Sequence, residues 1–114
     1  MFLFVTLDKN QHAEKHKYDD FFESPTIFKW QSQNRTRQDS KHGRMISLHK
    51  EMGIEIRLFV RKQAKIKSNA APFIYCGEVD FVDWEGNKPI SVTWRLRQPV
   101  PETLFDTFGI TSQT

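Results

Sequence analysis

Cysteine is nearly absent from this 114-residue chain: Cys76 stands alone, which excludes an intramolecular disulfide and any zinc site built on several thiolates. Such usage fits a reducing, cytoplasmic compartment. Long apolar runs are missing too. The run Met1 to Leu7 stops at Asp8 without a basic lead-in, far short of a signal peptide or a membrane span, so no membrane partner is expected. No G-x-x-x-x-G-K-[ST], G-x-G-x-x-G or G-x-S-x-G pattern occurs. His12 and His16 stand four apart, but in a polar, loop-like segment and without a Glu directly after the first His, so neither a metal nor another cofactor is expected. No repeat or Gly/Ser linker divides the chain, and residues 1–114 are read as one domain.

Aromatic residues and segregated positive charge are what the sequence does supply. Ten Phe, three Trp and two Tyr can furnish a core despite a hydrophobic fraction of 38%. The net charge of +3 is mild, yet its distribution is uneven: residues 29–67 hold eleven Lys/Arg against three Asp/Glu, whereas the segments on either side are net negative. Asymmetry of this kind favours a polyanion partner, because a basic face attracts phosphates and releases their counterions.

Strand patterns dominate. Phe2 to Leu7 reads as a strand covered on both faces. Thr26 to Gln31 is rich in β-branched and aromatic residues, and Ile54 to Arg61 alternates cleanly, with Ile54, Ile56, Leu58 and Val60 on one face. Phe73 to Trp84 and Ile90 to Arg97 are expected to pair across a turn at Glu85-Gly86-Asn87. Ser32 to Arg44 is predicted as an exposed basic loop, Met45 to Met52 as a short helix, Gln63 to Ala71 as a loop, and Glu102 to Phe108 as a terminal helix closed by Gly109. The expected fold is mainly β with little helix: a compact curved sheet or small barrel.

Two chemical readings compete. Glu78 and Asp80 share a strand face, as an acid-base pair of a hydrolase would, but no activated neighbour accompanies them, and Cys76 reads as a buried, inert thiol. A non-catalytic binding reading uses more of the sequence. Trp30, Gln31, Ser32, Gln33, Asn34 and Arg35 offer a stacking ring followed by amide, hydroxyl and guanidinium groups suited to base edges, with Tyr75, Trp84 and Trp94 as further stacking candidates. Arg37, Lys41, Arg44, Arg57, Arg61, Lys62, Lys65, Lys67, Arg95 and Arg97 are the candidate phosphate contacts. Docking of the same basic band onto an acidic protein partner is the alternative.

Several stretches together resemble a known family: Phe4 to Lys9, Ser24 to Gln33 with its Phe-x-Trp-Gln-Ser-Gln run, Leu58 to Arg61, Pro72 to Val79, and Pro89 to Leu96. They are similar, in order and over nearly the whole chain, to the domain at the C-terminal end of bacterial DEAD/DEAH-box helicases fused to phospholipase-D-type nucleases. Some of those fusions are ATP-dependent, modification-dependent (type IV) restriction enzymes. The resemblance implies target recognition on DNA, with methylated or hydroxymethylated cytosine as the mark, and a helicase or nuclease partner in cis or trans. By analogy it also suggests a PUA-like or SET-and-RING-associated-like barrel. The chain itself has no helicase or nuclease motif and begins on what should be an interior strand. It is therefore expected to be an excised domain or a stand-alone relative.

Overall fold

The computed structural model describes residues 1–8, 20–33 and 35–111. In chain order it contains β1 (Phe2–Asp8), β2 (Phe21–Ser24), β3 (Ile27–Gln31), α1 (Lys41–Ser47), β4 (Ile56–Gln63), β5 (Lys65–Ile66), β6 (Asn69–Ala70), β7 (Ile74–Glu85), β8 (Ser91–Leu96), a 3-10 turn (Glu102–Leu104) and α2 (Phe105–Phe108). The protein is mainly β, as the alternation predicts, and a six-stranded sheet curls into a half-barrel. Its strand order is β1-β4-β7-β8-β3-β2. The β1–β4 contact is parallel and the others are antiparallel. β5 and β6 form a separate two-stranded ribbon.

Period-2 alternation puts Leu3, Val5 and Leu7 of β1, Ile56, Leu58 and Val60 of β4, and Val92, Trp94 and Leu96 of β8 on the buried face. Phe22 and Phe28 extend this core across β2 and β3, Ile46 of α1 covers part of it, and Val100, Phe108 and Ile110 close it from the C-terminal side. β1 differs from expectation. It lies at the edge of the sheet, and its second face is wet, with Phe2 57% and Phe4 58% exposed. The apolar run reflects an aromatic outer surface, not a second buried face.

β7 breaks simple alternation twice. Its N-terminal half pairs with β4 through a bulge at Cys76, and its C-terminal half pairs with β8 through a bulge at Val82. Each extra residue inverts the inside/outside phase of the residues after it. Gly77, at φ +94°, takes the left-handed conformation that the first bulge requires. Across the second bulge Phe81 pairs with Trp94 on the core face, while Asp83 and Glu85 pair with Thr93 and Ser91 on the outer face. Unbroken alternation would have turned both carboxylates into the core and Trp84 out.

His49 holds this second bulge. Its ring is 1% exposed, Nε2 accepts the Phe81 N–H at 3.1 Å, and Nδ1 meets the Ile54 carbonyl at 2.9 Å. Because Nε2 accepts, the proton sits on Nδ1 and donates to Ile54.

The described residues of the predicted loop 32–44 are structured. Ser32 Oγ accepts the Ile90 N–H at 2.9 Å, the Lys88 N–H reaches the Thr36 carbonyl at 2.9 Å, and Gln38 bonds Gly86 and Asn87. Its end is helical: α1 begins in this segment instead of at Met45. Ser40 caps it by accepting the Gly43 N–H at 3.0 Å, and buried Gly43 lets the first turn sit directly on the Arg37–Gln38 backbone. The described part of this segment is therefore held by bonds within the chain rather than lying free as an exposed loop. The terminal turn and α2 occupy the predicted C-terminal helix, ending at Gly109.

Candidate functional site

The outer face of β3, β8 and the C-terminal half of β7 forms an open groove of about 490 Å³, within the range of ligand pockets. Phe21, Lys29, Gln31, Asp83, Glu85, Ser91 and Thr93 line it, and the strand register puts Lys29 opposite Thr93 and Gln31 opposite Ser91. Lys29 Nζ donates to Thr93 Oγ1 at 2.8 Å and lies 3.9 Å from Glu23. Gln31 Nε2 is 3.5 Å from Ser91 Oγ, and the Gln31 N–H donates to the carboxylate of buried Asp20 at 2.8 Å. Donors and acceptors alternate along the groove, with two carboxylates and one ammonium among them. That balance suits a polar, uncharged ligand better than a phosphate.

The run Trp30 to Arg35 is split by the sheet. Gln31 enters the groove. Trp30 belongs by alternation to the core face, with its ring 6.3 Å from that of Trp94, so the ring packs on the side of β3 opposite the groove rather than serving as a stacking wall. Trp84 likewise points inward against Phe81, and Trp94 is completely buried, its Nε1 without a hydrogen-bond partner among the described residues. Ser32 is buried and structural, Gln33 and Arg35 are exposed, and Asn34 lies outside the described residues, as does the His12/His16 pair. Sequence reasoning did not assign Lys29, Asp83, Glu85, Ser91 or Thr93 to a binding site; Asp83 and Glu85 drew notice only as carboxylates beside Glu78 and Asp80. The alternation of β8 already placed Ser91 and Thr93 outward, but nothing local announces the bulge that turns out the carboxylates.

The candidate phosphate contacts divide into committed and available groups. Arg37 pairs with Asp39 at 3.2 Å and Arg57 with Glu55 at 2.8 Å. Arg97 is clamped by Glu78 and by Asp80, the latter at 2.9 Å. Arg61 donates to Thr6 at 2.9 Å and to the Ala71 carbonyl at 3.0 Å, with its guanidinium 4.2 Å above the Phe73 ring. By contrast Arg35, Lys41, Arg44, Lys62, Lys65, Lys67 and Arg95 are exposed and carry no ion pair among the described residues. Strand direction separates the available cations. Arg35, Lys41 and Arg44 follow β3 at the groove end, whereas Lys62, Lys65 and Lys67 cluster around the end of β4, at the opposite end of the sheet.

A second outer surface lies over β1, β4 and the start of β7. Phe59 stacks on Phe4 at 4.8 Å and 21°, and against Tyr75 at 4.8 Å and 36°. Phe2 meets Phe59 edge-on, and Phe73 meets Phe4 in the same way. Tyr75, turned outward by the Cys76 bulge, is 52% exposed. Since both faces of Phe59 are already covered, the row presents ring edges to solvent.

The family described as "Domain of unknown function (DUF3427)" matches residues 1–108. The chain belongs to the DUF3427 family. No curated protein matches it.

In this DUF3427 chain the carboxylate pair that suggested a hydrolase is ion-paired. Glu78 and Asp80 share a face as expected, but both grip Arg97, which, with help from Lys50, holds the Asp80 carboxyl below its usual range. Burial pushes the Cys76 thiol up to about 11, so it stays protonated near neutrality. Among the described residues no group of three or more His, Cys, Asp and Glu is placed to hold a metal, and no helix is long and apolar enough to cross a membrane.

Proposed function

We propose that this DUF3427 chain is a non-catalytic DNA-recognition module that takes an exposed base into the β3/β7/β8 groove. It would act in the cytoplasm as the target reader of a helicase–nuclease restriction system, with ATPase and cleavage supplied by other domains or partners. The observation that carries the reading is the groove itself. Gln31, Lys29 and Thr93 face Asp83 and Glu85 across the outer face of the sheet, next to a segment carrying the exposed cations Arg35, Lys41 and Arg44. A carboxylate accepts from the exocyclic amine of cytosine, and an amide side chain donates and accepts at a base edge. Extruding the base costs a few kcal/mol, which phosphate contacts by the neighbouring cations help to offset.

The test is binding to otherwise identical duplexes carrying cytosine, 5-methylcytosine or 5-hydroxymethylcytosine. A preference for a modified duplex is expected, about tenfold for one methyl group. Gln31→Ala and Asp83→Ala should abolish that preference while leaving residual, salt-sensitive affinity. Equal affinity for all three duplexes, untouched by these substitutions, would refute base recognition.

The aromatic row favours a second reading, in which the module docks onto a protein partner. Ring edges on an edge strand suit an apolar strand added beside β1 better than stacked bases. Failure to bind any duplex at low salt, with loss of partner binding in Phe4→Ser, would favour docking over DNA recognition.

A further inference from the structure

The β5–β6 ribbon occupies a segment whose sequence predicts a loop. Its strands pair Lys65 with Ala70 and Ile66 with Asn69, leaving Lys67 and Ser68 as a two-residue turn. Both turn residues have positive φ, +51° and +75°, the geometry of a type I′ hairpin that normally selects Asn-Gly. A strained pair at the tip persists because the base of the ribbon is held. The Ala71 N–H bonds the Ala64 carbonyl at 2.9 Å, Gln63 Nε2 donates to the Lys65 carbonyl at 2.9 Å, and Arg61 Nη1 reaches the carbonyls of Ala71 and Ala64 at 3.0 and 3.4 Å. The ribbon and its base display Lys62, Lys65 and Lys67, all exposed, and Ile66, 51% exposed beside the turn.

We infer that this ribbon is a second DNA contact that enters the major groove of a duplex. It rests on the DNA reading above and adds an element that the reading does not require. A two-stranded ribbon fits a groove about 12 Å wide. Lys62, Lys65 and Lys67 then meet phosphates on the groove walls, while Ile66 offers an apolar contact to base edges such as the thymine methyl. Arg61 is a positioning residue: its Nε bonds Thr6, its Nη1 bonds the ribbon base, and its guanidinium lies over Phe73. The ribbon adjoins the start of β7 at Ile74 and the polar groove begins at Asp83, a run that at about 3.3 Å per residue separates them by roughly 30 Å. At about 3.4 Å per base pair, a duplex that bridges both must exceed roughly nine base pairs.

The experiment measures the salt dependence of binding of the full chain to duplexes of about 8 and about 20 base pairs, each with and without the modified base. In the variant Lys62→Gln/Lys65→Gln/Lys67→Gln, the slope of log K against log salt on the long duplex should become shallower by about 2 to 3, near 0.9 for each phosphate no longer neutralised. Base preference should be unchanged. All three side chains are exposed, so circular dichroism should match the parent chain. A slope change below about 1, with wild-type DNA binding intact, refutes the ribbon contact and leaves the groove reading standing. Absence of wild-type binding to any duplex refutes both. Arg61→Lys keeps the charge but has one nitrogen where Arg61 uses Nε on Thr6 and Nη1 on the Ala71 and Ala64 carbonyls, so it should weaken long-duplex binding and speed exchange of the Ala71 amide. Full affinity in Arg61→Lys refutes the positioning role.

Discussion

Replacing His49 by Ala removes the partner of two backbone groups at once. The Phe81 N–H and the Ile54 carbonyl, bonded to the ring at 3.1 and 2.9 Å, would both be left without it. Each lies in a partly buried setting, so the lower half of the usual penalty applies, about 1–2 kcal/mol per group. Removal of the ring's packing against Trp94, 5.9 Å away, brings the expected total to about 3 kcal/mol. For a domain of this size that lowers the melting temperature by roughly 12–20 °C. Equilibrium urea unfolding gives the magnitude, and His49→Phe separates the two causes, because a phenyl ring fills the space but bonds neither backbone group. Hydrogen exchange adds a local readout: the amides of Phe81 and Asp83 should lose protection before those of β4. Stability of His49→Phe within about 0.5 kcal/mol of the parent would refute the assignment of the cost to hydrogen bonding.

Three further outcomes are expected from the packing and the electrostatics. Gly43→Ala, although it improves helix propensity, puts a Cβ 2.2 Å from the Arg37 carbonyl oxygen and 2.8 Å from that of Gln38, and should lose about 2 kcal/mol in urea unfolding; an unchanged midpoint would contradict the close approach. Asp80 has a folded-state pKa depressed by Arg97, so its stabilising contribution is present above its unfolded pKa and fades as pH falls through the lower folded value, in the region below about pH 4. Arg97→Ala should raise the Asp80 titration midpoint seen by carboxyl NMR and shrink that acid sensitivity, and an unmoved midpoint would refute the clamp. Cys76 lines a cleft of about 220 Å³, so reagents can approach it, but its thiol, pushed up to about 11, should alkylate slowly at about pH 7.5 and faster as pH rises toward that value; rapid alkylation at neutrality would refute the protonated state.

Those parts of the fold that rest on unbroken alternation were legible. β4 and β8 carry inward aliphatic or aromatic residues at every second position, and the Glu85-Gly86-Asn87 turn between β7 and β8 is written in turn-forming residues. Where the local signal is weak, reading failed. β5 and β6 are two residues each and join through Lys-Ser where a hairpin usually has Asn-Gly. The helix was displaced because Met45, Leu48 and Met52 mimic a helical stripe, whereas Leu48 and Met52 are exposed. The true start lies at Ser40, and a glycine in the first turn disguises it. Gly43 is there for a tertiary reason, the contact with the Arg37–Gln38 backbone, which no local propensity encodes.

The candidate site was legible only in part because neighbours in sequence are not neighbours on a sheet. Trp30 and Gln31 are adjacent along the chain, yet one faces the core and the other the groove, so a ring and an amide that looked like a single reading motif act from opposite sides of β3. The groove's carboxylates come instead from β7, and they are outward only because Val82 is squeezed out of the ladder. That bulge is held from outside the sheet, by a histidine 32 residues earlier in the chain than Phe81. Drawing Val82 into the ladder, so that alternation ran unbroken through it, would drive Asp83 and Glu85 toward the core and Trp84 into solvent, an exchange that burial energetics strongly oppose. The carboxylates and the tryptophan thus enforce the bulge from within while His49 satisfies the amide beside it. The groove is consequently a property of the packed protein and not of any one segment.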